Sequence, residues 1–425
     1  MSVYLICLVI LIFLLIRVPV FIAIGSGCAI YFLTNNYSLA TVAARFFYSI
    51  DIFSLLAIPL FVLAGNLMNR SGVTERIFRF CNSLVAAIPG GLGHVNVMCS
   101  LIFAGMSGSA LADLGSLGRI EVKAMREAGY PLPFSMGVTL ASSSLGPVIP
   151  PSIAAIVYAI NAKVSVAGLF LASIVPGLFL GLMMMLFVSI CAIRGNFPRH
   201  ELRPLRQVWR DFLSALPAMV TPALLIGGMT AGIFSPTEAA AVAVLYSLFL
   251  GLVVYRALRI GEIWPCLVES SREVASLLLV VAVGIVFGWI LTVERVPQDI
   301  AAFMVSVSGD ATVLLLLVVA LALVLGCFME VTVLLLLLPP IILPPLLAAG
   351  VDPLQVGVVL IITVSIGMFT PPFGVGLFAM QRIAGARYAD VVIGFLPWLV
   401  PLLLSVVILV LFPGIVLFLP RALGF

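Results

Sequence analysis

The stretch Gly146-Pro147-Val148-Ile149-Pro150-Pro151 recurs in outline 221 residues later, as Gly367-Met368-Phe369-Thr370-Pro371-Pro372. Both copies lie inside long apolar runs. A proline in a helix removes an N–H donor and clashes with the preceding turn, so each doublet breaks its helix and frees carbonyls. In hydrocarbon there is no water to take those bonds, and the freed carbonyls need a partner from the protein or an ion. The same break in both halves reads as a membrane protein made of two related units. The 221-residue offset also joins Gly105 to Gly326 and Gly129 to Gly350, while Gly65 corresponds to Gly288 and Arg17-Val18-Pro19 to Phe234-Ser235-Pro236.

Composition points the same way. Of 425 residues, 63% are hydrophobic and 9% charged, too few polar groups to cover a globule in water. A crossing of the ~30 Å hydrocarbon layer takes ~20 apolar residues. Runs of that kind predict about ten spanning helices, at 2–16, 19–33, 52–69, 131–160, 164–193, 213–232, 236–256, 274–293, 353–381 and 391–419. Two more runs, 92–127 and 312–349, are interrupted at Gly105-Met106-Ser107-Gly108-Ser109 and Gly326-Cys327-Phe328-Met329-Glu330, which predicts re-entrant helical hairpins. The shorter segments 72–88 and 297–308 read as interfacial helices.

Charge tests this layout, because cytoplasmic loops carry the excess of Lys and Arg. With the N-terminus outside and both hairpins re-entrant, only Arg45, Lys163, Arg295 and Arg421 of the 21 basic residues fall outside. Turning either hairpin into a single crossing inverts everything after it and destroys the bias. The expected fold is therefore an all-α polytopic membrane protein, an inverted-topology repeat with units 1–211 and 212–425, whose hairpins open to opposite sides and whose termini are both periplasmic. Inverted repeats of this kind are typical of secondary transporters.

Several functions are disfavoured. Two histidines, His94 and His200, stand apart, and no HExxH, GxxxxGK[ST] or assembled Ser-His-Asp set accompanies them, so neither an intramembrane enzyme nor an ATP-driven pump fits. The seven cysteines lack CxxC spacing and read as small hydrophobes. A net charge of +4, collected in loops, concerns topology and not nucleic acid. No cleaved leader is expected, because no basic residue precedes the apolar run that starts at Val3.

The breaks carry the predicted chemistry. Carbonyls and helix C-termini near the membrane midplane coordinate sodium, while helix N-termini face substrate carboxylates. Two sodium sites are expected, using Ser143, Ser144, Gly146, Ile149 and Pro150 in the first half and Thr363, Gly367 and Thr370 in the second, mostly through backbone carbonyls. A kink satisfied by neighbouring Ser and Thr is the alternative. Substrate is expected at the hairpin tips, on Ser107, Gly108, Ser109, Asp113, Glu330 and Thr332, with Thr370. An acid at membrane depth is functional by default, and Asp113 or Glu330 can bind a cation, relay a proton or pair with an arginine. Glu238 follows Pro236 closely and reads as a helix cap.

In order along the chain, Ile58–Gly65, Gly90–His94, Ser107–Ala110, Gly146–Pro151, Ser235–Ala241 and Thr370–Gly374 resemble the large, DctM-like membrane subunit of tripartite ATP-independent periplasmic (TRAP) transporters. The resemblance runs over essentially the whole chain. It implies sodium-driven uptake of a small organic anion across a bacterial inner membrane by an elevator motion of the hairpin-bearing part. It implies two partners, a small four-helix membrane subunit and a periplasmic solute-binding protein that delivers the anion. Asp113 and Arg119-Ile120-Glu121 depart from the small or apolar residues expected in the first hairpin's inner arm. A stand-alone sodium- or proton-coupled dicarboxylate carrier is the runner-up.

Overall fold

The computed structural model describes residues 6, 8–10, 12–13, 18–35, 37–195, 197–198 and 203–425, and these form helices joined by turns and short loops, with no strand. The predicted span 2–16, along with Cys7, Arg17, Arg199 and His200, lies wholly or mostly outside the described residues. The first half runs α1 (Val20–Thr34), α2 (Leu39–Ile50), α3 (Ala57–Arg70), α4 (Val73–Val85), α5 (Gly91–Ser107), α6 (Ala110–Glu127), α7 (Leu132–Ser143), α8 (Ile153–Ala162) and α9 (Val166–Gly195). The second runs α10 (Leu205–Thr230), α11 (Pro236–Phe249), α12 (Ile260–Val293), α13 (Val296–Val307), α14 (Ala311–Gly326), α15 (Val331–Leu337), α16 (Pro339–Ala348), α17 (Pro353–Gly367), α18 (Val375–Ala384), α19 (Tyr388–Phe395), α20 (Leu399–Leu411) and α21 (Pro413–Ala422).

Helix starts follow from short polar residues that take up orphan N–H groups. Ser235 and Glu238 form a reciprocal capping box: the Glu238 N–H donates to Ser235 Oγ (3.3 Å) and the Ser235 N–H to Glu238 Oε2 (2.7 Å), the cap read from the sequence. The Val313 and Thr312 N–H groups donate to Asp310 Oδ1 and hold its carboxyl below the usual carboxylate range. Asp352 caps α17 by accepting from the Leu354 N–H at 2.8 Å.

Among the described residues six helices are long and apolar enough to cross a membrane alone. The predicted spans 131–160 and 353–381 are each two helices, α7 with α8 and α17 with α18, separated at the doublets, and both doublets contain a cis peptide bond, Pro150-Pro151 and Pro371-Pro372. Halves of ten to fifteen residues reach only ~15–22 Å and cannot cross singly. Other boundaries differ from expectation. The helix predicted at 391–419 is interrupted at Phe412, before Pro413. Helix α12 begins at Ile260 and not near 274, and α10 at Leu205, so the boundary at 211/212 falls inside α10. Helix α2 was not anticipated; its Arg45, Phe47 and Tyr48 are exposed, and it is too short and polar to register as a span.

Helices α5 and α6 form the first hairpin, packed on α7 and, through α5, on α3. The second hairpin pairs α14, which crosses α17, with the second arm α15–α16, bent by 57° at Leu338-Pro339. That bend has a local cause and a remote remedy. Pro339 and Pro340 offer no N–H to the carbonyls four residues back, those of Leu335 and Leu336. Asn161, near the end of α8, donates Nδ2 to both, at 3.2 and 2.7 Å, so the first broken helix satisfies the second hairpin.

Helices α3 and α12 pack together through two polar rungs. Asn66 Nδ2 donates to Ser270 Oγ (3.0 Å) and Glu273 Oε2 (3.1 Å), and one turn on Arg70 pairs with Glu269 at 2.5 Å.

Candidate functional site

The first hairpin turns at Gly108, whose φ of +60° favours glycine and whose added Cβ would stand 2.9 Å from the Pro151 carbonyl oxygen. Ser109 then caps α6 by accepting from the Ala112 N–H at 3.5 Å. The tip rests directly on the first break: a Cβ on Gly146 would lie 2.7–2.8 Å from the backbone of Ser109 and Ala110. On the other side Ser107 sits against Gly65 of α3, with Ser107 Cα 3.6 Å from where a Gly65 Cβ would be. The second half uses the same device with different residues. Gly326 and Gly367 let α14 and α17 approach until each added Cβ would come within 2.9 Å of the other's Cα.

Within the first break, α8 is capped by Ser152, which accepts from the Ala155 N–H at 3.1 Å and donates to the Pro147 carbonyl. Ser144 Oγ donates to the Ala141 carbonyl (2.6 Å) and Ser142 Oγ to Asn96 Oδ1 (2.6 Å). Asn96 donates in turn to Thr139, which donates to the Ser135 carbonyl. No backbone N–H among the described residues donates to the carbonyls of Gly146, Val148 or Ile149. In the second break the Thr363 and Thr370 hydroxyls donate to the Val359 and Ile366 carbonyls (2.7 and 2.9 Å) and Tyr388 Oη to that of Pro372 (2.7 Å). The carbonyls of Phe369 and Thr370 receive no backbone N–H among the described residues. Both breaks thus hold protons on their hydroxyls in place and leave backbone oxygens unserved, a donor set suited to a hard monovalent cation.

The two hairpins and the two breaks meet at one small cavity. Its walls are Gly108 and Ser109 from the first tip, the opening turns of α6 (Ala110, Leu111) and α8 (Ile153, Ala154), Pro147 and Met368 from the breaks, Leu277 of α12, and Glu330, Val331 and Thr332 from the second tip. Thr332 Oγ1 donates to Glu330 Oε1 at 3.0 Å, orienting the carboxylate. The N-terminal ends of α6 and α8 converge here, each with N–H groups of its first turn unpaired and a partial positive charge, a setting whose electrostatics suit an anion. No Lys, Arg or His lines the cavity. Through Ser109, Leu111, Ile153, Leu277 and Glu330 it continues into a larger, open vestibule that reaches Pro19, Asn66, Asn69 and Glu273.

Of the residues expected to meet substrate, Gly108, Ser109, Glu330 and Thr332 are therefore together, and Ser107 lines the vestibule. Asp113 and Thr370 stand apart from this lining. Asp113 is buried between the hairpin arms, accepting from Ser100 Oγ at 2.9 Å. About two turns further along α6, Glu121 is buried with neither carboxylate oxygen partnered among the described residues. Ser143, Ser144, Gly146, Thr363 and Gly367 are buried in the breaks, with Ile149, Pro150 and Thr370 beside them. Leu277, Glu273 and Asn66 were missed by the sequence reading; only the neighbouring Gly65 marked that wall.

The broken-helix pairs, the hairpin tips wedged into them and the shared cavity define a class, the secondary transporters built on hairpins and discontinuous helices. Comparison with known proteins narrows this. The family model for the tripartite ATP-independent periplasmic transporter, DctM component, matches residues 6–415, and the chain belongs to that family of multi-pass membrane proteins. It is 43% identical, over 94% of each chain, to the sialic acid TRAP transporter large permease protein SiaM of Vibrio cholerae. It is 36% identical to the C4-dicarboxylate TRAP transporter large permease protein DctM of Pseudomonas aeruginosa, over 94% of this chain and 93% of that one. To 2,3-diketo-L-gulonate TRAP transporter large permease protein YiaN of Escherichia coli it is 34% identical, over 92% of each. Among solved structures the YdaH transporter of Alcanivorax borkumensis, described as having an unusual topology, superposes with a TM-score of 0.65 at 17% identity, covering 89% of this chain and 88% of that one. That likeness concerns the fold alone.

Proposed function

We propose that this chain is the transport subunit of a TRAP system that takes up a small organic carboxylate across a bacterial inner membrane, driven by sodium. The observation that carries the reading is the cavity where the N-termini of α6 and α8 converge without a basic side chain: it meets a carboxylate through backbone N–H groups. Sodium completes the charge balance. The unserved carbonyls of Gly146, Val148 and Ile149, and of Phe369 and Thr370, stand at the break beneath each hairpin and supply oxygens without adding fixed charge. Binding of the anion is thereby linked to binding of the ions, the requirement for coupled transport.

The vestibule reaches the start of α1 and the end of α3, the ends that the distribution of basic residues assigns to the cytoplasm. The described conformation is then the one that releases substrate inward. Outward access follows when the hairpins, with α7, α8, α17 and α18, move as a body against α1, α3, α11 and α12, an elevator step. The relatives named for sialic acid, diketogulonate and C4-dicarboxylates support an organic acid as cargo, and their tripartite family supports a separate four-helix membrane subunit and a periplasmic binding protein as partners.

The test is uptake into proteoliposomes holding this chain and its small subunit. Labelled acid is expected to accumulate only with the binding protein outside and an inward sodium gradient. Full-rate uptake without sodium refutes the coupling, and uptake of free substrate without the binding protein converts the assignment to a stand-alone carrier.

A further inference from the structure

The wall of the vestibule formed by α3 and α12 has chemistry that the cavity does not use. Glu269 is neutralised by Arg70 at 2.5 Å, but Glu273, one turn on, has only the Asn66 amide at 3.1 Å. Arg272 lies in an outer groove with Trp264 and Ser271 and not on the vestibule. Glu273 therefore presents to the vestibule a carboxylate with no cationic partner among the described residues. Two further residues line the same space and carry buried oxygens: Asn69 Oδ1 accepts no hydrogen bond, and Ser107, only 8% exposed, has an Oγ with no partner, among the described residues.

These groups are neighbours. Ser107 packs against Gly65, Asn66 is the next residue and holds Glu273, and Asn69 is one turn along. A buried amide oxygen and a hydroxyl left without donors beside an uncompensated carboxylate need a positive ligand that accepts their lone pairs. One carboxylate with two neutral oxygens balances a single charge, and all three are hard donors.

We propose that Glu273, Asn69 and Ser107 form a monovalent-cation station in the vestibule, separate from the ion sites at the breaks, where sodium pauses between the cavity and the open mouth. It rests on the sodium-coupled reading above. Glu273 and Asn69 stand on the α3–α12 wall and remain at the mouth when the hairpins move away, whereas Ser107 leaves with the first hairpin tip, so the station is complete only in this conformation. Its effect is on sodium exchange with the side the vestibule faces, and not on sodium binding from the opposite side.

The experiment uses the reconstituted transporter with its small subunit, with binding protein supplied outside so that only one orientation is read. Uptake is measured against external sodium with choline inside, then against internal sodium at fixed external sodium. In wild type, internal sodium inhibits. Removing one unit charge close to an ion in a water-like medium weakens binding about fivefold, so E273Q is expected to shift the internal half-inhibiting sodium concentration upward by about that factor. Its external half-saturating concentration stays within about twofold. E273D retains the wild-type curve, and E269Q, which removes a charge already paired with Arg70, leaves the internal curve unmoved. The proposal is overturned if E273Q leaves the internal curve in place, if both curves shift together, or if E269Q acts like E273Q. Wild-type uptake indifferent to sodium on either side instead refutes the sodium-coupled reading and the station with it.

Discussion

Replacing Asn161 by leucine keeps the volume and removes two N–H donors that serve the second hairpin. The carbonyls of Leu335 and Leu336 lose their helical partners to Pro339 and Pro340, and Asn161 Nδ2 stands in for both at 3.2 and 2.7 Å. Hydrogen bonds between membrane helices average ~0.6 kcal/mol and reach ~1.7. An unserved carbonyl buried in protein costs ~1–3 kcal/mol. Asn161 is half-buried and lines a partly open pocket, so water reaches part of the site and the lower figures apply. The loss is then about 1–2 kcal/mol, a fall of a few degrees in midpoint for a chain larger than ordinary small domains. The assay is thermal unfolding of purified protein in detergent, read by thiol exposure, with Asn161→Asp as a control that has no amide donor. N161L and N161D should lose similar amounts. Because the same arm starts at Glu330 and Thr332, N161L should also raise the half-saturating substrate concentration more than it lowers the maximal rate. A variant that melts within about a degree of wild type refutes the idea that the hairpin's bend is held by the opposite half of the chain.

Gly146→Ala and Gly367→Ala each place a carbon under 3.0 Å from backbone, which forces a shift of about half an ångström at a cost of ~1–3 kcal/mol; both variants should insert normally and lose about tenfold in uptake, measured against membrane-localised protein. Ser152→Ala removes the α8 cap that receives the Ala155 N–H and should destabilise by about 0.5–2 kcal/mol, read as an earlier thermal transition; an unchanged midpoint counts against a capped half-helix. A cysteine introduced beside Lys163 should react with an impermeant maleimide from the periplasm and one beside Arg203 should not, and the opposite pattern overturns the assigned orientation.

The sequence discloses an element when its side chains are uniformly apolar, and conceals it when polar side chains join it to another helix. Hydropathy found α9, α11 and both broken spans, whose residues are apolar although α7, α8 and α17 are buried against protein. It cut α12 short, because Glu262, Glu269, Arg272 and Glu273 read as a loop; in the fold Glu269 and Glu273 answer Arg70 and Asn66 across the interface with α3, a pairing 199 and 207 residues apart in the chain that no local window contains. The same rule sorts the site. The hairpin tips were legible because a left-handed Gly108 and close-contact glycines at 146, 326 and 367 leave a signature in residue type. The wall they close against was not, since Leu277 and Met368 are ordinary apolar residues until α12 and the second break bring them to the cavity. Asp113 is the converse case. A carboxylate at membrane depth is conspicuous in a sequence, yet Ser100 on the facing arm and Ser143 at the end of α7 supply its hydrogen bonds, away from the cavity lining. Glu330, equally conspicuous, has its Thr332 bond within its own turn and faces the cavity. What separates the two acids is where the hydrogen-bonding residues sit, Ser100 across the hairpin and Ser143 on α7 for Asp113, and Thr332 two positions away at the tip for Glu330, and only the folded chain shows which carboxylate lines the cavity.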